Sequence, residues 1–192
     1  MRILLVGAGG VGTAIARIAA RRPFADLIVA DYDLSRAQAA AAARPGYIAV
    51  RLDARDEAAT AALLAEQRCD VLMNATDPRF VMPLFRAALA AGVHYLDMAM
   101  SLSRPHPDEP YARTGVMLGD EQFAMAGQWE QAGKLALAGM GVEPGLSDVF
   151  ARYAADELFG DVTEVGVRDG ASLIVGGYDF APTFSIWTTI EE

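Results

Sequence analysis

Short apolar runs alternate with longer alanine-rich stretches through the first half of the chain. Arg2–Val6, Leu27–Asp31, Tyr47–Leu52, Val71–Asn74 and His94–Met98 carry apolar side chains almost without interruption. Strands buried on both faces have that pattern. The segments between them, Gly12–Arg21, Asp33 to about Arg44, Asp56–Arg68 and Pro78–Ala91, have helical composition and helical punctuation. Pro23 stops the first of these helices, Pro45-Gly46 the second and Gly92 the fourth, while Asp33 supplies an N-cap. The order βαβαβαβαβ predicts a parallel sheet with helices on both faces.

The rhythm then breaks. Ser101–Gly119 holds Pro105, Pro107 and Pro110, has no periodicity, and reads as a long loop. Asp120 caps an expected helix over Glu121–Ala132, Lys134–Ala138 reads as a sixth strand, and Gly139–Gly145 as a glycine-rich turn. A helix over Leu146–Phe159 follows, then strands over Thr163–Arg168 and Ser172–Val175 in a different, mixed sheet. Thr188-Thr189-Ile190-Glu191 has the spacing of a capping box, which marks the start of a helix. The expectation is a first domain over 1–145 and the incomplete beginning of a substrate or dimerisation domain over 146–192, the chain being an N-terminal piece of a longer protein.

Composition narrows the class. Of 192 residues, 53% are hydrophobic and 21% charged, which excludes general disorder. Sixteen basic against 25 acidic residues give a net charge of −9, which argues against nucleic acid or an anionic membrane as partner. Cys69 is the single cysteine, so no intrachain disulfide forms, and a reducing, cytoplasmic setting is expected. No apolar run has the length of a membrane span.

The chemistry starts at Gly7-Ala8-Gly9-Gly10-Val11-Gly12, a G-x-G-x-x-G pattern between a strand and a helix. Gly7 permits the tight turn, Gly9 lets the backbone approach a pyrophosphate, and Gly12 lets the helix pack on its strand. The free N–H groups at the helix start face the phosphates. Asp31 ends the next strand at the distance of about 20 residues where a carboxylate meets the adenosine ribose hydroxyls. It would repel a 2′-phosphate, so NAD is favoured over NADP, with Arg36 close enough to oppose that preference. Tyr32 follows directly. Asp53-Ala54-Arg55 ends the third strand on the same edge, and Asp53 is either a partner of the adenine amino group or a helix N-cap. Asn74-Ala75-Thr76 ends the fourth strand and either passes the cofactor towards its nicotinamide or simply makes a turn. Asp97, at the end of the fifth strand, and Glu143, in the turn after the sixth, belong at the nicotinamide end. There each positions an amine or relays a proton, or is a structural carboxylate. Pro144 and Gly145 complete that turn and are expected to contact the cofactor. His94, His106 and Cys69 read as structural or solvated residues.

Together these residues resemble the saccharopine dehydrogenase family of two-domain reductases. The likeness rests on Val6–Gly12, on Asn74-Ala75 followed by a helix, and on Ala91-Gly92-Val93-His94-Tyr95-Leu96-Asp97. It continues through Gly141-Val142-Glu143-Pro144-Gly145-Leu146-Ser147, then Gly176-Gly177 and Phe184-Ser185-Ile186-Trp187. The resemblance implies an NAD(P)-binding Rossmann domain followed by a second α/β domain with a mixed sheet, in a chain about twice as long. It implies hydride transfer at a C–N bond of an amino acid such as saccharopine or lysine. The open strand edges expected after Thr163 and the apolar residues Phe180, Phe184, Ile186 and Trp187 add the expectation that the chain pairs with another copy, as a homodimer. Most substrate-binding residues would lie beyond Glu192. A nucleotide-sensing regulatory domain, or a family member without catalysis, is the alternative.

Overall fold

A computed structural model describes residues 1–22, 24–168 and 176–177. Six strands form one sheet: β1 (Arg2–Val6), β2 (Asp26–Asp31), β3 (Ile48–Arg51), β4 (Val71–Asn74), β5 (His94–Asp97) and β6 (Ala136–Leu137), in the order β3-β2-β1-β4-β5-β6. Every pairing is parallel. The helices are α1 (Gly10–Arg21), α2 (Leu34–Ala41), α3 (Glu57–Glu66), α4 (Val81–Ala91, after a 3-10 turn at Pro78–Phe80), α5 (Asp120–Phe123), α6 (Ala126–Gln131) and α7 (Leu146–Glu157).

The alternation within β1 sorts the core. Ile3 and Leu5 face one side, where they join Leu27, Val29 and the buried alanines of α1 and α2. Leu4 and Val6 face the other, with Ile28, Leu72, Leu64 of α3 and Leu84, Phe85 and Ala88 of α4. Phe85 meets the Tyr95 ring edge-on with centroids 5.0 Å apart, and Trp129 lies 4.9 Å from Phe85. Alanine dominates the α1–α2 side because these helices lie close against the sheet, and small residues let backbones approach. The caps at Asp33 and Gly92 fall where the sequence places them, and a third is found at Asp56. Asp33 accepts the Ser35 N–H at 2.8 Å, Asp56 accepts the Ala59 N–H at 2.9 Å, and Gly92 closes α4 in the left-handed region at φ 65°.

The structure departs from the sequence reading in two places. The single helix expected over Glu121–Ala132 is two short helices, and Asp120 is not its cap. Its carboxylate accepts the Met117 N–H at 2.7 Å, and Gly119, at φ 84°, occupies the cap position. Gln122 of the first helix and Trp129 of the second are both buried, and the chain turns between them at Ala124–Met125. The strand expected over Thr163–Arg168 is absent, since residues 161–168 have no regular structure and are exposed. The expected strand Ser172–Val175, the aromatic stretch around Phe184 and the capping box at Thr188–Glu191 lie outside the described residues. Among the described residues no helix is long and apolar enough to cross a membrane.

The 101–119 loop has no regular element but is tied at its base. Gly119 donates its N–H to the Ser101 carbonyl at 2.9 Å, Arg104 and Val116 form an antiparallel bridge, and Arg104 pairs with Glu121.

Candidate functional site

Parallel pairing puts the carboxyl ends of the strands along one edge. Val6 is level with Ala30 on one side and Asn74 on the other, and Asn74 is level with Asp97. Open α/β sheets bind ligands at this edge, beside the crossover point where chain order reverses. Here that point lies between β1 and β4, and a groove of about 440 Å³ opens beside it. Gly7, Gly9, Asp31, Tyr32, Arg36, Asp53, Ala54, Ala75 and Thr76, all expected from sequence, line it.

The glycine loop is built by close contacts. Gly7 sits at φ 98°, and a Cβ there would lie 2.6 Å from the Ala75 carbonyl oxygen. A Cβ on Gly12 would lie 1.8 Å from the Gly7 carbonyl oxygen. Gly9 differs, because a Cβ there would meet nothing within 4 Å. Its bareness serves no contact within the chain, and it leaves the backbone open to a ligand. Gly10, Val11 and Gly12 form the first turn of α1, where no side chain caps the helix and no acidic residue lies. These features fit a dinucleotide pyrophosphate: an open backbone at Gly9 and a helix N-terminus with no competing carboxylate.

Asp31 holds the loop in shape. Its Oδ2 accepts the Ala8 N–H at 2.7 Å and its Oδ1 accepts the Asp33 N–H at 2.9 Å. Each oxygen keeps a further lone pair for a ribose hydroxyl. Around it are Tyr32, 63% exposed with the Arg51 guanidinium 5.3 Å over its ring, and Arg36, whose only nearby carboxylate among the described ion pairs is Asp33 at 3.9 Å.

Asp53 lines the groove but is engaged. Arg55 gives it a backbone N–H at 3.0 Å and a forked pair of bonds, Nε at 3.0 Å and Nη2 at 2.6 Å. The side-chain bonds from Arg55 hold the Asp53 carboxyl down at about 2. Asp53 is not the helix cap either, since Asp56 takes that part. Asp77 and Phe80 also line the groove, where the sequence reading does not place them, and so does Arg55, which it sets on this edge without a role. A signal exists for Arg55, two residues past an acidic strand end. Asp77 caps the 3-10 turn by accepting the Arg79 N–H at 3.0 Å.

Asn74 lies beneath the groove wall, 2% exposed. Its Oδ1 accepts the N–H and the hydroxyl of Thr76, which orients Thr76 and Ala75 into the groove. Asp97 and the Gly139–Gly145 turn meet, as the sequence leads one to expect: Gly139 donates to Asp97 Oδ1 at 2.7 Å, and Met140 donates to the Asp97 carbonyl at 2.8 Å. Asp97 is 1% exposed, and burial raises its pKa against the opposing bonds from Gly139, Gln122 and Tyr95. Glu143 is exposed on the same turn, Pro144 is half-buried, and Gly145 donates to Asp148 at 2.8 Å. None of Asp97, Glu143, Pro144 and Gly145 lines the groove itself. Cys69 is buried, and burial pushes its thiol up to about 11, so it is protonated at neutral pH. His94 accepts the Leu135 N–H at 3.0 Å, a structural contact.

Residues 3–137 match the family described as the saccharopine dehydrogenase NADP binding domain. Carboxyaminopropylagmatine dehydrogenase of Synechocystis is 32% identical over 100% of this chain and 46% of its own length. Carboxynorspermidine synthase of Vibrio cholerae is 28% identical over 88% of this chain and 43% of its own. The chain thus spans less than half the length of these relatives. Among solved structures, apo saccharopine dehydrogenase (L-Glu forming) of Saccharomyces cerevisiae superposes with a TM-score of 0.63 at 21% identity, over 82% of this chain and 31% of that one. That likeness concerns the fold, which is the doubly wound sheet described above. With the match covering all six strands, the chain belongs to the saccharopine dehydrogenase family through its NADP-binding domain, and its cofactor is a nicotinamide dinucleotide.

Proposed function

We propose that the protein is an NAD(P)-dependent oxidoreductase that transfers hydride at a C–N bond of an amino-acid-like substrate. The observation that carries this reading is the glycine loop, held by Asp31 and open at Gly9. When bound, the dinucleotide exchanges a hydride between its nicotinamide and the carbon of an imine or secondary amine. The chain's own groups do the rest. Backbone N–H groups of the first turn of α1 hold the pyrophosphate, Asp31 takes the ribose hydroxyls, and Ala75 and Thr76 guide the nicotinamide half towards the β4–β5 edge. The relatives named for carboxyaminopropylagmatine and carboxynorspermidine support a carboxylated polyamine as substrate, beside the saccharopine or lysine that the family resemblance implies. A homodimer belongs to the same proposal, with light scattering as its check.

Calorimetric titration of the intact protein with NADH tests the site. Saturable binding is expected, and Gly9→Val should abolish it without unfolding the chain, because the added side chain meets only the groove. Undiminished binding by that variant would refute the assignment. Turnover is tested by NADH formation on adding each amine. Binding of NADH with no turnover on any of them would favour a nucleotide-sensing domain.

NAD is proposed over NADP because the Asp31 carboxylate lines the groove where a 2′-phosphate would sit, while Asp53 is already paired with Arg55. Asp31→Ser should loosen both cofactors, since Ala8 loses its acceptor, and should narrow the ratio of their dissociation constants. A wild type that binds NADPH more tightly than NADH would assign the preference to Arg36 instead.

A further inference from the structure

Behind the groove wall, a buried line of polar groups runs across the ends of β4 and β5 to the turn after β6. It begins at Thr76, whose N–H and hydroxyl reach Asn74 Oδ1 at 2.9 and 2.7 Å. Asn74 Nδ2 donates to the Tyr95 hydroxyl at 3.1 Å, and Tyr95 and Asp97, two residues apart on β5, are buried on the same face of the sheet, the phenol beside the carboxylate. Asp97 Oδ1 takes the Gly139 N–H at 2.7 Å, and Oδ2 takes Gln122 Nε2 at 2.9 Å. Gln122 Oε1 accepts the Ser101 N–H at 2.8 Å, where the proline loop begins. Asn74, Tyr95, Asp97 and Gln122 are 2%, 1%, 1% and 3% exposed.

The direction of each bond is set by chemistry. An ionised carboxylate only accepts, and a backbone N–H and an amide converge on Asp97, one on each oxygen, with the Tyr95 phenol beside them. Gln122 has one orientation that serves both neighbours. Reversed, it would set its oxygen against the carboxylate and its NH₂ against the Ser101 N–H. The turn is also seated sterically. A Cβ on Gly139 would lie 2.7 Å from Met100 Cε, and one on Gly141 2.6 Å from the Met98 carbonyl oxygen. A buried carboxylate is a poor way to gain stability when apolar side chains of similar size would serve. What a line of hydrogen-bonded polar groups supplies instead is a fixed geometry.

We infer that Asp97 is a positioning residue: with Tyr95 and Asn74 it forms a rigid strut that fixes the 139–145 turn, and Glu143 on it, relative to Thr76 in the cofactor groove. The inference rests on that groove being the dinucleotide site. Cofactor at Thr76 and the turn are then coupled through side chains in contact, and no loop movement is needed to connect them.

The test compares Asp97→Asn, Tyr95→Phe and the double variant Asp97→Asn/Gln122→Glu with wild type in the intact protein. Amide hydrogen exchange at Gly139 reports the turn, NADH titration reports the groove, and kcat and KM report the outcome. In Asp97→Asn one amide oxygen replaces two carboxylate oxygens, so the uncharged side chain cannot accept from both Gly139 and Gln122: turned one way its NH₂ meets the Gln122 NH₂, turned the other it meets the Gly139 N–H. Exchange at Gly139 should rise about tenfold or more, as loss of a charge-assisted bond implies, and kcat should fall while NADH affinity holds within about twofold. In the double variant the carboxylate moves to position 122, where it accepts from both the new amide at position 97 and the Ser101 N–H. Protection and kcat should both return. Tyr95→Phe keeps the Gly139 bond but cuts the strut, so NADH should slow exchange at Gly139 in wild type and not in this variant.

Wild-type protection and kcat in Asp97→Asn would overturn the inference, as would a double variant that folds but leaves Gly139 unprotected. Restored protection without restored turnover would place Asp97 at the reacting atoms and overturn the positioning role. A wild type that does not bind NADH would refute the proposed function, while the comparison of Gly139 exchange between wild type and the Asp97 variants would still decide the strut.

Discussion

Three glycines in one loop respond differently to an added methyl group. At Gly12 it would enter the Gly7 carbonyl, at Gly7 it would enter the Ala75 carbonyl, and at Gly9 it meets open space. Gly12→Ala should therefore destabilise the fold by about 2 kcal/mol or more, read as a lower urea midpoint. Gly9→Ala should keep its midpoint and weaken NADH binding. A motif of equal-looking letters thus divides into two glycines that serve the fold and one that serves the ligand. Those roles are legible in sequence because the geometry of the motif imposes them. The state of Asp53 is not, because it depends on where the Arg55 side chain turns. The Arg55 bonds lower the Asp53 pKa from 3.8 to about 2. The folded form thus favours the carboxylate, and the pair contributes stability above the unfolded value that is lost as pH falls through about 2. Since the pair is solvent-exposed the effect is small. Asp53→Asn should flatten the acid limb of the urea midpoint measured between about pH 5 and about pH 2, and an unchanged limb would show that the pair contributes nothing.

At the level of elements, the six strands and the first four helices are legible because buried parallel strands and capped helices leave strong local patterns. Gly92 illustrates how local these are. It closes α4 at φ 65° with no atom within 4 Å of an added Cβ, so Gly92→Ala tests backbone strain alone. A loss of about 1 kcal/mol in equilibrium unfolding is expected, with NADH binding unchanged. What the pattern does not show is set by distant contacts. The helix over Glu121–Ala132 is in fact two, and the partners of its buried residues are distant in sequence: Asp97 and Ser101 for Gln122, Phe85 and Tyr95 for Trp129. The alternation of Val165 and Val167 has the pattern of a strand, yet both are exposed, and no strand pairs with them among the described residues. Alternation alone does not make a strand without a neighbour to pair with. Likewise the sequence places Asp97 at a strand end, and only the fold reveals that its partners are a turn and a side chain far along the chain.

On the scale of the whole molecule, the chain order and the spatial order of the strands differ. The first strand, β1, lies inside the sheet between β2 and β4. The groove depends on that arrangement, for Gly7 is shaped against Ala75 across the β1–β4 junction. During synthesis, chains fold from the N-terminus as they emerge. The segment through β3 can assemble three strands, but it leaves the β1 edge and its N–H and C=O groups unpaired until Val71–Asn74 arrive. An unpaired edge of that kind is a template for other chains. The nascent protein is therefore most exposed to mispairing while α3 is being made, and the cofactor can offer it no protection then, because half of the glycine loop's mould has not yet been translated.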